Sequence, residues 1–387
     1  MKPSEYSNVL SVEKENILLC TLRWFIAMFF IASPLNPSFN DMTIYLWIPL
    51  VFLDVYFLNI LGKVNKNFLI IMLVWFSYCV LVNRIDIAIK SFVLLLGVVY
   101  LTKIKDRILD KLYVWMLISI SWCILQFVLY QINPSLSSMI GPSEISRTLW
   151  GEYATATYSN QYELFFLPRM SGLSREAGFF VSLLVVMFLT RVRYKVVTKK
   201  EKILFFLGYV FSISKVSFVA IILFFIQRLK RYLSKIPLVV FIFIFFSLFL
   251  FLAHYLDVGV SPFFYLNESI AHRLSSSYLI SDMKIPNLIY GCDSNYSCFQ
   301  NNQPMLNYLS NIDLKPNIGL AGVVIDLGVI GLLLFLCLAY LFRLSTYEFC
   351  ILALLTSTVT FFTLDSFVIL TFYYIATNKY ILDVKEN

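Results

Sequence analysis

ILFFLGYVFSISKVSFVAIILFFIQ, residues 203–227, decides how this chain is threaded. It is long enough for one membrane crossing, which needs about 20 apolar residues. Its centre, however, is polar: SKVS (214–217) carries Lys215 between two serines. The flanks settle the reading. RVRYKVVTKKEK (191–202) precedes the stretch and RLKRYLSK (228–235) follows it, both dense in Lys and Arg. Short loops rich in these residues stay on the cytoplasmic side of a membrane. The chain between them must therefore go in and come back, as two half-length helices meeting at the SKVS break. Broken helices at membrane depth are tolerated only where they line protein or a water-filled cavity. The alternative, one crossing over 203–227, inverts the orientation of everything that follows.

The rest of the chain agrees with a membrane setting. Of its 387 residues 59% are hydrophobic and only 14% charged, against about a quarter charged in a soluble domain; the mean hydropathy is +0.78. Other candidate spans fall at 17–34, 41–61, 68–82, 87–102, 112–132, 176–190, 236–256 and 318–342. The run 349–377 reads as a second hairpin with Asp365 near its tip. The expected fold is an all-α polytopic integral membrane protein, one membrane domain over 1–387, with about twelve transmembrane segments, some short or broken. The first sixteen residues are polar and lack the pattern of a signal peptide, so the first span is expected to remain in the membrane. Both termini then face the cytoplasm.

Two long polar stretches, 133–175 and 257–317, fall on the outer side; the second holds only Arg273, Lys284 and Lys315 as basic residues. The formal charge of +8 sits in short loops between apolar runs, which argues against nucleic acid as a partner and for membrane lipids. Cys20, Cys79, Cys123, Cys337 and Cys350 lie in apolar runs, whereas Cys292 and Cys298 share a polar stretch and can form a disulfide in an oxidising compartment. His and Cys are sparse and lack ligand spacing, so neither a metal nor a cofactor is expected.

Charges at the mouths of spans mark candidate functional residues. LPRMSGLSREAGFF (167–180) sets Arg169, Arg175 and Glu176 just before an apolar run. Together with SKVS, the pair His272–Arg273, Gly291 and KPNIGLAGVVIDLGVIG (315–331), this order resembles the O-antigen polymerases (Wzy-type) and their relatives the O-antigen ligases. In that superfamily an Arg-x-Ser-Gly element followed by an acidic residue opens a span; here it is RMSG (169–172) and Glu176. The resemblance covers the chain from about residue 110 onward and is one of pattern. Two departures stand out. The ligases carry a His just before the late Gly-rich span, where this chain has Lys315-Pro316-Asn317, and their Ser-Arg break is Ser214-Lys215 here. The first leans toward a polymerase.

The resemblance implies a GT-C-like fold in a bacterial inner membrane, with the site facing the periplasm. It implies an oligosaccharide on undecaprenyl pyrophosphate as substrate and a chain-length regulator as a partner. Transfer from that donor needs positive charge on the departing phosphates and a base for the incoming hydroxyl. Arg suits the first task, because its fork donates two hydrogen bonds to phosphate and stays charged. Arg169, Arg273 and Arg175 are thus candidate pyrophosphate contacts, against the alternative of arginines that reach the interface or pair with a carboxylate. Glu176 is either the base or an anchor for an arginine; His272 is either a base or an inert loop histidine. Lys215 either meets phosphate or is satisfied by helix carbonyls, and Asp326 either pairs across the cavity or lines it. Lys90, about a turn from the outer end of its span, either snorkels out or serves as a ligand; Arg23 and Asp54 are expected to snorkel or cap. The rivals are an O-antigen ligase acting on lipid A core and a lipid-linked oligosaccharide flippase; the two long outer stretches favour an enzyme over the flippase.

Overall fold

A backbone without water around it must satisfy each N–H and C=O within its own segment, which makes apolar runs helical. The computed structural model describes residues 16–39, 42–61, 66–151, 163–164, 167–212, 214, 217–258, 260–266, 268–293, 296–299, 303–311, 314–341, 344–357 and 359–383. Within them the chain is helical, apart from two antiparallel ladders of two residues each, 38–39 with 42–43 and 163–164 with 167–168.

Helix α1 (Ile17–Ile31) leads to α2 (Trp47–Val51), α3 (Val55–Leu61) and α4 (Lys66–Leu81). Then come α5 (Ile85–Ile132), α6 (Pro134–Met139) and α7 (Pro142–Trp150). Helices α8 (Ala177–Tyr194), α9 (Lys199–Phe211), α10 (Ser217–Leu233) and α11 (Leu238–Tyr255) follow. The stretch before α16 (Gly319–Leu341) holds α12 (Pro262–Leu266), α13 (Glu268–Ile280), α14 (Ile285–Tyr290) and α15 (Gln303–Asn311); α17 (Thr346–Thr356) and α18 (Ser366–Asp383) come last. Four helices, α5, α8, α11 and α16, are long and apolar enough to cross a membrane, and shorter apolar helices accompany them in α1, α4, α17 and α18. The apolar helices point to a membrane-embedded protein.

The run that opened the sequence reading splits at its polar centre. Helix α9 starts in a capping box between Thr198 and Glu201, and Glu201 lies 3.6 Å from Arg191 at the end of α8. It ends at Phe211, whose carbonyl accepts the Met170 N–H at 2.8 Å, just before α8 begins. So α9 runs back along α8. Helix α10 then returns, because its Gln227 lines the same cavity as Lys202 in the first turn of α9. The stretch 203–227 is a helical hairpin. Lys215, between its two arms, lies outside the described residues.

Three expected spans are rearranged. The run 41–61 is not one helix: α2 stops after Val51 and α3 begins at Val55, with Asp54 Oδ1 accepting the Phe57 N–H at 3.2 Å. Asp54 also takes a two-pronged bond from Arg23, at 2.7 and 2.9 Å, and the Tyr100 hydroxyl at 3.1 Å. Both charged side chains are fully buried, so Arg23 and Asp54 pair instead of snorkelling. The runs 87–102 and 112–132 join in one helix, α5, because TKIKDRILDK (102–111) contains no Gly or Pro to stop it. Its contour length, about 72 Å, is more than twice the hydrocarbon thickness.

The stretch 257–317 is more than a loop. Ala253, Val258, Phe264, Ala271, Leu279, Phe299 and Leu309 form a core of their own against Ile325 of α16, and Cys292 is bonded to Cys298 within it. The larger core packs α1, α5, α8 and α18 together.

Candidate functional site

Helix α8 sets the frame. At 18 residues it is about 27 Å long, close to the hydrocarbon thickness, so it is long enough to cross a bilayer. One end carries Arg191 and Lys195, which hold Asp110 at 2.9 and 2.6 Å. The other end carries Arg169, Arg175 and Glu176.

The turn that delivers those residues is fixed from several sides. Gly172 has φ +56, and a Cβ there would lie 2.7 Å from the Ser119 carbonyl and 2.6 Å from the Phe180 ring. Only glycine adopts that conformation without strain and leaves the room. The buried Gln126 amide grips Gly172 by both backbone groups, accepting its N–H at 3.0 Å and donating to its carbonyl at 3.2 Å. Ser119 Oγ accepts the Leu173 N–H at 2.9 Å, and the Leu173 carbonyl accepts the Ser33 N–H at 3.1 Å. Thus α5, α9 and the end of α1 jointly hold RMSG. The motif is first of all a turn.

Glu176 occupies the N-cap position of α8, yet its side chain makes no capping hydrogen bond. Its carboxylate instead faces a small cavity of about 30 Å³, roughly one water, that it shares with Arg273 of α13, Ser182, Phe179, Val359 and Phe367. Burial pushes the pKa of both Arg169 and Arg273 below the ordinary arginine value, and the Glu176 charge opposes that shift at each. The Glu176 charge thus acts on two half-buried guanidiniums that are 104 residues apart in sequence (273 − 169). Arginine stays protonated under such shifts.

Arg175 turns to another partner. It stacks 4.2 Å over Phe179 and lies 3.7 Å from Asp365, which immediately precedes α18 and also accepts the Tyr45 hydroxyl at 3.4 Å. The second hairpin thereby brings its tip to the mouth of α8. His272 lies on α13 next to Arg273, but its side chain is outside the described residues.

Asp326 belongs to a different group. Arg84 Nη1 reaches it at 2.6 Å, with both side chains 3% exposed, while Asn317 and Tyr296 donate at 3.2 and 3.4 Å. Arg84 also meets Asp86 at 3.2 Å, and Lys90 lies 3.9 Å from Asp86. A bridge connects this group to the first. Asn317 accepts the Thr360 hydroxyl at 3.3 Å, next to Val359 on the cavity wall. Ser276, one turn after Arg273, accepts the Ile318 N–H at 2.9 Å.

The structure thus brings together Arg169, Glu176 and Arg273, sets Arg175 with Asp365 beside them, and seats Asp326 in a buried pair. Sequence reasoning missed Arg84, Gln126, Ser119 and Tyr45, and saw Asp365 only as a hairpin tip. Arg84 left one signal: an arginine and an aspartate in the four-residue gap, 83–86, between apolar runs. Among the described residues, no three His, Cys, Asp or Glu side chains gather to hold a metal ion. No family model matches this chain, and neither a curated protein nor a solved structure matches it.

Proposed function

We propose that this protein polymerises lipid-linked oligosaccharide repeat units on the outer face of a bacterial inner membrane, as a Wzy-type glycosyltransferase. The observation that carries the reading is the cavity that Arg273 of α13 shares with Glu176 at the mouth of α8, where the Glu176 charge also acts on Arg169. In the proposed reaction the acceptor hydroxyl oxygen bonds to the anomeric carbon of the donor glycan. The bond from that carbon to the pyrophosphate oxygen breaks, and its electron pair leaves with undecaprenyl pyrophosphate. Arg169 and Arg273, with Arg175 and Lys215, stabilise the departing phosphates. The hydroxyl proton passes to Glu176 or to His272.

The topology belongs to the same proposal. About twelve segments, some short or broken, are read from the sequence as crossing or entering the membrane, one fewer where 87–102 and 112–132 run on as α5. The basic loops 191–202 and 228–235 face the cytoplasm; 133–175 and 257–317 face the periplasm. In support, the ion pairs of Asp110 with Arg191 and Lys195 lie at the end of α8 away from Glu176.

A gel of surface lipopolysaccharide from a strain lacking the gene tests the activity. Core bearing a single repeat, with the long ladder lost, is the expected result. Core with no repeat overturns polymerisation and points to a ligase or a flippase.

A further inference from the structure

A cavity of about 360 Å³ lies between α8, α9 and α10, well away from the arginine cluster. Most of its wall is apolar: Leu184, Val185, Phe188, Phe205 and Leu223 are among the side chains that form it. Apart from Tyr209, further along α9, the polar groups gather at one end. Lys202 stands in the first turn of α9 and Gln227 in the last turns of α10, both exposed. From Lys202 to Tyr209, the other α9 residues on this wall, the cavity follows the helix for about 10 Å. The end with Lys202 is also the end at which Glu201 meets Arg191, where Lys199, Lys200 and Arg228 crowd in sequence. An apolar slot with a cationic mouth has the shape and charge of a site for an anionic amphiphile.

We infer that this cavity binds one anionic phospholipid, its acyl chain between α8, α9 and α10 and its phosphate on Lys202. The charge at the mouth selects the occupant. A zwitterionic lipid offers the same chain but carries its own cation, whereas anionic lipids gain about 1 kcal/mol per nearby Lys or Arg at a membrane surface. Such a lipid would also brace the α9–α10 hairpin, whose tip holds the Met170 turn through Phe211. The inference needs only that the chain is embedded in a membrane, and it stands or falls independently of the polymerase reading.

The test is native mass spectrometry of the purified, delipidated full chain, titrated separately with phosphatidylglycerol and phosphatidylcholine of identical acyl chains. Phosphatidylglycerol is expected to bind at least about ten times more tightly. Lys202→Glu, on an exposed side chain, should reduce that preference to less than about threefold. Ile221→Trp, which fills the cavity from α10 at a position 44% exposed, should remove the first bound lipid of either kind. Equal affinity for the two lipids, or an unchanged preference in Lys202→Glu, overturns the assignment. So does full lipid retention in Ile221→Trp.

Discussion

Replacing either member of the Arg84–Asp326 pair tests what ties α16 to the start of α5. The guanidinium and carboxylate are 2.6 Å apart and each side chain is 3% exposed. Removing one partner of a buried pair costs about 3–5 kcal/mol, since the other charge stays buried. The two single substitutions are not equivalent. After Asp326→Ala, Arg84 keeps Asp86 at 3.2 Å, on a side chain 48% exposed, so the loss falls near the lower limit, about 3 kcal/mol. After Arg84→Met, Asp326 retains only the neutral donors Asn317 and Tyr296, and the loss rises toward about 5 kcal/mol. With roughly 2.1 cal/mol/K of unfolding entropy per residue over 387 residues, about 0.8 kcal/mol/K, the midpoints drop by about 4 and 6 °C. The double variant Arg84→Met/Asp326→Ala removes both buried charges. It should be about 2–3 kcal/mol more stable than the two single losses added together. Thermal unfolding in detergent micelles, followed by tryptophan fluorescence, reads all four proteins. Additive losses, or an Asp326→Ala protein weaker than Arg84→Met, would show that the pair does not hold these helices.

Gly172→Ala forces a side chain into a left-handed conformation and against the Ser119 carbonyl. It should cost at least about 1–2 kcal/mol of stability in the same assay and reduce activity through the displaced Arg169; a wild-type midpoint with full activity refutes the account of the turn. Arg169→Lys keeps the charge but loses the two-pronged fork, so a complemented deletion strain should show little long ladder at normal protein level. A full ladder removes Arg169 from the site. Reducing the Cys292–Cys298 bond, which closes a loop of only six residues' separation, should lower stability by about 2 kcal/mol; an unchanged midpoint in reductant means the small core holds without it. Ile285→Cys, at a residue 74% exposed, should react with a membrane-impermeant thiol reagent added outside intact cells. A protected thiol there contradicts a periplasmic 257–317.

What could be read from the sequence was whatever depends on neighbours in the chain. The hairpin at 203–227 follows from a polar break between two basic loops, and the structure places Lys202 and Gln227 at the same end. The split of 41–61 and the continuity of α5 are also local matters, and each turned on a residue that span length alone ignores. Asp54 starts a new helix, α3, by taking the Phe57 N–H, while the charged stretch 102–111 keeps helix-forming residues throughout and lets α5 run on. A hydropathy scan sees the first as one span and the second as a gap. Partners are a different matter. Arg84 and Asp326 are 242 residues apart, Gln126 and Gly172 are 46 apart, and no periodicity in one segment announces its complement in another.

The RMSG element shows why a motif can be legible while its chemistry is not. Its glycine answers to backbone conformation, and the residues beside it answer to Gln126, Ser119 and Phe211. None of these contacts concerns a substrate. They fix the direction in which the chain leaves the turn, and that direction decides where Arg169, Arg175 and Glu176 stand at the mouth of α8. Arg175 is then drawn to Asp365, and Glu176 is left facing Arg169 and Arg273. A rigid turn is what allows one carboxylate to divide its field between two guanidiniums from distant parts of the chain. An anion reaching the mouth of α8 would meet side chains already held in place, and little reorganisation would be needed to hold it.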